Sequence, residues 1–160
     1  MARSALVTPV RVLVHSQHLT FHLLDGLTSV PDAGHFFVGW GKRPTQAVFE
    51  NLLRRATHVV LAIDDETRAV IGFATAISDQ VLSGYIPLVE VIPEWQGNGV
   101  GTALVGRLLE LMSDLYMIDL VCDSGLVPFY ERFGMKQGTA MSLRRYEHQA
   151  GQDRPAQPDA

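Results

Sequence analysis

Between Tyr85 and Cys122 an apolar strand, a glycine-rich turn, the strongest helix in the chain and a second apolar run follow one another. No other feature constrains the fold as much. Tyr85–Ile92 reads as a strand stopped by Pro93. Gly99–Leu115 reads as a helix, because Val100, Leu104, Leu108, Leu111, Met112 and Leu115 fall on one stripe. Tyr116–Cys122 is apolar with little alternation, as expected of a central strand buried on both faces. Strand, helix, strand in this order implies a parallel crossover.

Around this unit the periodicity predicts further elements. Val10–Val14 is a β-branched strand, and Ser16 is placed to cap a helix over His18–Leu24. Asp25–Pro44 is rich in Gly, Pro and aromatics and reads as a long loop. A helix follows Thr45, with Ala47, Val48, Leu52 and Ala56 on its apolar side. His58–Ile63 and Ala69–Ile77 form a hairpin across the polar turn Asp64–Arg68, and Gly72 marks a bulge. Leu126–Phe133 is a short helix closed by Gly134. Two last strands are expected at Met135–Gln137 and Thr139–Arg145. The reading is an α/β (α+β mixed sheet) fold with helices on both faces. One domain spans residues 1–147, and a polar, disordered tail spans 148–160.

The chain has 160 residues, enough for one domain with a sizeable core. Its single cysteine, Cys122, excludes an internal disulfide and a cysteine-rich zinc site, and it reads as a packing residue. No apolar run is long enough to span a membrane, and no signal peptide is recognisable, so a cytoplasmic protein is expected. The net charge of -4 conceals a block: residues 64–123 carry ten acids against Arg68 and Arg107. Such a middle argues against a nucleic-acid groove and suits a cationic small partner or a solvated acidic face. The six histidines show no metal-binding spacing; His18 and His22 lie four apart on the expected helix and read as surface residues.

Chemistry concentrates in Gln96-Gly97-Asn98-Gly99-Val100-Gly101, at the strand-to-helix junction. Three glycines let the backbone approach a ligand and adopt positive φ. The first-turn N–H groups of the helix lack internal partners and sit at the positive end of its dipole. Such a loop holds an anion, usually phosphate, by main-chain dipoles. A P-loop would need a lysine that is absent here. A dinucleotide fingerprint would need a third glycine where Thr102 stands, with Asp119 or Asp123 as its acid. A plain tight turn is the remaining reading.

Gln96–Gly101 also matches [RQ]-x-x-G-x-[GA], and here the sequence resembles the GCN5-related N-acetyltransferase (GNAT) superfamily. The segment VEVIPEWQGNGVGTALV looks like the family's strand, loop and pyrophosphate helix. The segment LVCDSGLVPFYERFGM looks like its next strand and an aromatic-Tyr-x-x-x-Gly helix. The resemblance spans about Val10–Arg145 and implies a sheet of about six to seven strands.

It implies acetyl transfer from acetyl-CoA to a primary amine of a small molecule or peptide, in a ternary complex. Gln96, Gly97, Asn98, Gly99, Val100, Gly101 and Thr102 would hold the pyrophosphate, and Val91 and Ile92 would pair with the pantetheine arm. Asp123 and Phe129 complete the implied cofactor contacts, and an N–H near Val91 would face the oxyanion. Tyr130 is the implied acid for the departing thiolate. Glu90, sent by alternation to the face opposite Val89 and Val91, is a candidate base or an anchor for the ammonium. Asp119, Asp123 and Tyr85 are lesser candidates, and a water chain would do without any single base. Two departures stand out: Asp123 where asparagine is common, and Asn98 where Lys or Arg is common.

Phe37, Trp40, Tyr85 and Glu90 are candidate acceptor-binding residues. Phe36, Phe37 and Trp40 wall an acceptor pocket or serve as core for their own loop. With Asp79 and Asp119, Glu90 would draw a cationic amine. No metal, nucleic acid or membrane is expected to take part, and a homodimer is in keeping with the family. A non-catalytic acyl-CoA sensor and a nucleotide-dependent oxidoreductase are the competing readings.

Overall fold

A computed structural model describes residues 10–14, 17–23 and 32–152. Its strands are β1 (Val10–Val14), β2 (Gln17–Leu23), β3 (His58–Asp64), β4 (Val70–Ser78), β5 (Ser83–Val91) and β6 (Met117–Asp119). Its helices are α1 (Gln46–Arg55), α2 (Val100–Leu111) and α3 (Val127–Glu131). The strands lie in one sheet in the order β1-β2-β3-β4-β5-β6. Neighbours are antiparallel except β5 and β6, which run parallel, as a crossover through α2 requires.

The two faces of β3 and β4 bury separate cores. On one, α2 packs Val100, Leu104, Leu108 and Met112 against Val60, Ala62, Ile71 and Ala74. On the other, α1 contributes Phe49 and Leu53 to a cluster with Phe36, Phe37, Leu61 and Phe73. The phenyl rings of Phe36 and Phe73 meet edge-on at 5.0 Å, and those of Phe37 and Phe49 at 5.6 Å. Thr45 caps α1 by accepting a hydrogen bond from the Val48 N–H at 3.3 Å, as its sequence position predicts. The expected bulge beside Gly72 is a register shift: Ala62 pairs with Gly72, whereas Ile63 pairs with Val70. Gly72 has a packing reason as well, because a Cβ there would sit 3.0 Å from both the Glu90 carbonyl and Leu104.

Four expectations are corrected. The helix over His18–Leu24 is instead strand β2. The sequence QHLTFHL alternates polar and apolar at period two, and that pattern outweighs a capping serine. Ser16 itself lies outside the described residues. Tyr116–Cys122 is not a doubly buried central strand: β6 spans three residues at the sheet edge, and both Met117 and Asp119 are exposed. The strands expected at Met135–Gln137 and Thr139–Arg145 do not form ladders, and residues 136–148 are all exposed. Finally, the segment from His148 does not all run free. The Lys42 N–H donates to Gln149 Oε1 at 3.1 Å, and residues 149 and 150 are half-buried.

Candidate active site

Strand β5 is the spine of the site. It pairs with β4 over Gly72↔Val91, Phe73↔Glu90 and Ala74↔Val89. It pairs with β6 only at Ser83, Gly84 and Tyr85. Beyond Tyr85 the two parallel strands part. Pro87, two residues further on, has no N–H to offer a ladder. The parting leaves a cleft of about 630 Å³ lined by Val89, Val91, Gln96, Gly97, Gly99, Gly101, Thr102, Phe129, Tyr130 and Arg132, among others.

The glycine loop forms the floor of that cleft. Gly97 and Gly99 have φ of 75° and 83°, left-handed values that favour glycine. Gly99 is the N-cap of α2, and no side chain caps the helix, so its first-turn amides face the cleft end. Gln96 is bound inward, its Nε2 donating to the Val91 carbonyl at 2.9 Å. Asn98 Nδ2 donates to the Gln96 carbonyl at 3.2 Å. The side chains of Gln96 and Asn98 thus shape the loop, leaving the backbone for a ligand. Val100 is buried in the α2 core, and only its main chain is near the site. Thr102, one turn into the helix, is exposed to the cleft.

Alternation along β5 sorts its main chain. The Ile92 N–H donates to the Ile71 carbonyl at 3.0 Å, and the Ile92 carbonyl accepts from the Trp95 N–H at 3.0 Å. The N–H of Ile92 is therefore committed within the fold, while its carbonyl accepts one bond and keeps a second lone pair. Val89 and Val91, one step out of phase, turn their N–H groups away from β4 toward the parting.

Tyr130 lies on α3 where the cleft meets a second cavity. This larger space, about 750 Å³, is lined by Tyr85, Ile118–Cys122, Tyr130 and Met135–Ala140, among others. Tyr130 thus borders both, and its ring packs edge-on against Phe129 at 4.8 Å. Burial pushes its phenol above the ordinary tyrosine value, helped by nearby Cys122. It stays protonated at neutral pH.

Glu90 sits on the opposite sheet face from Val89 and Val91, as alternation predicts, and lines neither cavity. Burial raises its carboxyl above the usual carboxylate range, and a hydrogen bond from the Phe37 N–H offsets part of that. Phe37 itself adopts φ 59° and is 1% exposed, so both Phe36 and Phe37 belong to the core rather than to a pocket wall. Trp40 is half-buried and meets Phe37 edge-on at 5.1 Å. Asp123 is exposed at the start of the turn Ser124–Leu126 and lines neither cavity.

Two acids of the block hold turns. The Asp79 carboxylate accepts N–H bonds from Val81, Leu82 and Ser83 at 2.9–3.0 Å, which depresses its pKa strongly. Asp64 accepts from the Glu66 and Thr67 N–H groups and fixes the β3–β4 turn. Of the three acids read as attractors for a cationic amine, Asp79 is thereby consumed by its turn, and Asp119 alone faces a cavity.

Sequence reasoning missed Arg132. It lines the cleft, its guanidinium stacks 4.9 Å above the Phe129 ring, and its Nε donates to the Phe129 carbonyl at 3.4 Å. The signal was its spacing, three residues after Phe129 on one turn of α3. A basic side chain is therefore present at the cleft although the glycine loop carries none.

A family model described as acetyltransferase (GNAT) family matches residues 29–135. The chain is 34% identical over 118 residues to GCN5-related N-acetyltransferase 2, chloroplastic, of Arabidopsis thaliana, covering 62% of this chain and 46% of that protein. It is 30% identical over 101 residues to the uncharacterized N-acetyltransferase ycf52 of Pyropia yezoensis, covering 61% and 58% respectively. The chain thus spans about half the length of these curated relatives. A solved structure from Deinococcus radiodurans R1, assigned as an acetyltransferase, superposes with a TM-score of 0.77 at 45% identity, covering 83% of this chain and 92% of that one. No described helix is long and apolar enough to cross a membrane.

Proposed function

The chain belongs to the acetyltransferase (GNAT) family, and from that premise we propose that it transfers the acetyl group of acetyl-CoA to a primary amine by direct attack. The observation that carries this reading is Tyr130, which borders both the cleft under the glycine loop and the larger cavity beside it. Cofactor and acceptor would enter from these two sides and meet at the phenol.

The loop amides from Gly97 to Gly101 bind the pyrophosphate, with Thr102 beside them. Arg132 adds the one side-chain cation. The Val91 N–H, turned into the parting, polarises the thioester carbonyl, and a well-aimed donor of this kind is worth ~3 kcal/mol to the transition state. The amine lone pair attacks the carbonyl carbon and the C–S bond breaks. Tyr130 gives its proton to the leaving thiolate. The proton shed by the amine passes to water, since Glu90 lies on the opposite sheet face and lines neither cavity. Asp119 in the larger cavity favours a cationic acceptor.

An amine panel with thiol release as readout tests the reading. Release with at least one amine is expected; acetyl-CoA binding without release from any amine would favour the sensor instead. Stabilisation by NADH rather than CoA would favour an oxidoreductase.

Two variants refine it. Arg132→Ala is expected to weaken acetyl-CoA binding roughly threefold to tenfold, the scale of one partly exposed charge contact, measured by calorimetry with turnover at saturation unchanged. Glu90→Gln is expected to leave kcat/KM within a few-fold, because the carboxyl lines neither cavity; a loss of about 100-fold or more would make it the base. Its effect on stability is larger, since burial raises its carboxyl. A raised folded-state value means that the contribution is present at low pH and is lost as pH rises through it. Glu90→Gln should therefore melt higher than the parent at neutral pH, and an equal or lower melting temperature would contradict the burial cost.

A further inference from the structure

The chain has two lysines, Lys42 and Lys136, among its 13 Lys and Arg residues. Both are exposed among the described residues, but their surroundings differ. Lys42 sits in the loop before α1, its N–H donating to Gln149 Oε1, and it lines neither cavity. Lys136 lines the larger cavity together with Tyr130, Asp119 and Glu131. The chain between Tyr130 and Lys136 is folded back on itself. The Phe133 N–H donates to the Tyr130 carbonyl at 3.0 Å, and the Gly134 N–H donates to the Glu131 carbonyl at 2.9 Å. Gly134 then takes φ of 81°, a left-handed value that ends the helical turn and redirects the chain along the cavity wall. A primary amine on a flexible four-carbon stem is thus built into the wall of the space that Tyr130 borders.

We propose that Lys136 is a site of self-acetylation, taking its acetyl group from acetyl-CoA bound to the same chain; this rests on the acetyltransferase reading above. The Lys136 ammonium first sheds one proton to water. Its Nζ lone pair then attacks the thioester carbonyl carbon, an N–C bond forms and the C–S bond breaks. Tyr130 protonates the leaving thiolate, and the proton lost by the nitrogen as the amide forms restores the phenol. CoA departs as the thiol, and Lys136 is left as a neutral amide. Asp119 and Glu131 draw the ammonium into the cavity by charge. Arg132, held over Phe129 on the cleft side, is no competitor, because a guanidinium stays protonated and offers no lone pair. Donor and acceptor share one chain, so the transfer gains from proximity and needs no encounter between proteins. Lys136 is also the only Lys or Arg lining that cavity among the described residues. Its acetylation would leave Asp119 and Glu131 there without a cation.

The full chain, incubated with acetyl-CoA carrying a deuterated acetyl group and mapped by peptide mass spectrometry, tests this, with Lys42 as the internal control. Label is expected on Lys136 roughly tenfold or more faster than on Lys42, the advantage of an amine held near the thioester. The rate per molecule should not change when the protein is diluted. Tyr130→Phe should slow labelling of Lys136 about 100-fold or more while leaving that of Lys42 unchanged. Lys136→Arg should reduce total label to the Lys42 level. An added amine that is itself acetylated should slow labelling of Lys136, because the two would share one cavity. Equal label on both lysines overturns the proposal, as does label on Lys136 that Tyr130→Phe leaves intact, since either would be plain chemical acylation. A rate that falls with dilution overturns transfer within one chain. Turnover of an added amine with Lys136 unlabelled overturns the proposal and leaves the acetyltransferase reading standing. Transfer to no amine at all, Lys136 included, removes both.

Discussion

Tyr130→Phe is expected to cut kcat about 100-fold or more, the range of a positioned general acid, while acetyl-CoA affinity stays within a few-fold. The phenyl ring keeps its packing on Phe129, so the cleft keeps its shape, and only the proton is lost. The thiolate must then leave unprotonated or draw on water. Because burial raises the phenol above its ordinary value, the unmodified chain should show no alkaline loss attributable to Tyr130 until well above neutral pH. Stopped-flow thiol release and calorimetry together separate the two effects. Unchanged turnover would take the acid role away from Tyr130.

The second large effect separates binding from stability. Gly101 lies in α2 with ordinary helical backbone, and a Cβ there would meet Phe129 at 3.7 Å, across the floor of the cleft. Leucine at this position would extend beyond that contact into the space proposed for the pyrophosphate and pantetheine. Gly101→Leu should therefore lower acetyl-CoA affinity at least 100-fold. It should not unfold the chain, because replacing a helical glycine with a good helix former gains up to about 1 kcal/mol. Loss of binding with an unchanged or raised melting temperature is the expected pair of results. Retained affinity would move the cofactor away from the cleft.

What the sequence made legible was whatever rests on local chemistry. The glycine loop needs positive φ at Gly97 and Gly99, and only glycine meets that need without strain, so the motif and its geometry coincide. The stripe of α2 and the hairpin of β3 and β4 follow from periodicity alone. Tyr130 was readable through the family pattern rather than from its own surroundings. Two of the failures depended on a partner distant in sequence. Phe37 was open to two readings, pocket wall or core of its own loop, and its side chain is claimed by Phe49 and Phe73. Ile92 was named from the resemblance alone, and only the fold shows that its N–H is bonded to Ile71. Arg132 is the exception: its partner Phe129 is three residues away, a local spacing the reading did not use. Thr139–Arg145 has the composition of a strand, yet it joins no ladder among the described residues.

The parting of β5 and β6 has a kinetic consequence. With Pro87 just past the last paired residue, the two strands have no continuous ladder to zip shut when the cleft is empty. Opening is written into the covalent chain rather than purchased from the ligand's binding energy. Association should then be a single step, with an observed rate rising linearly with acetyl-CoA concentration and no plateau from a preceding conformational change. Such an entrance stands ajar between turnovers, and differences in affinity among acyl-CoA ligands should appear in how slowly they leave.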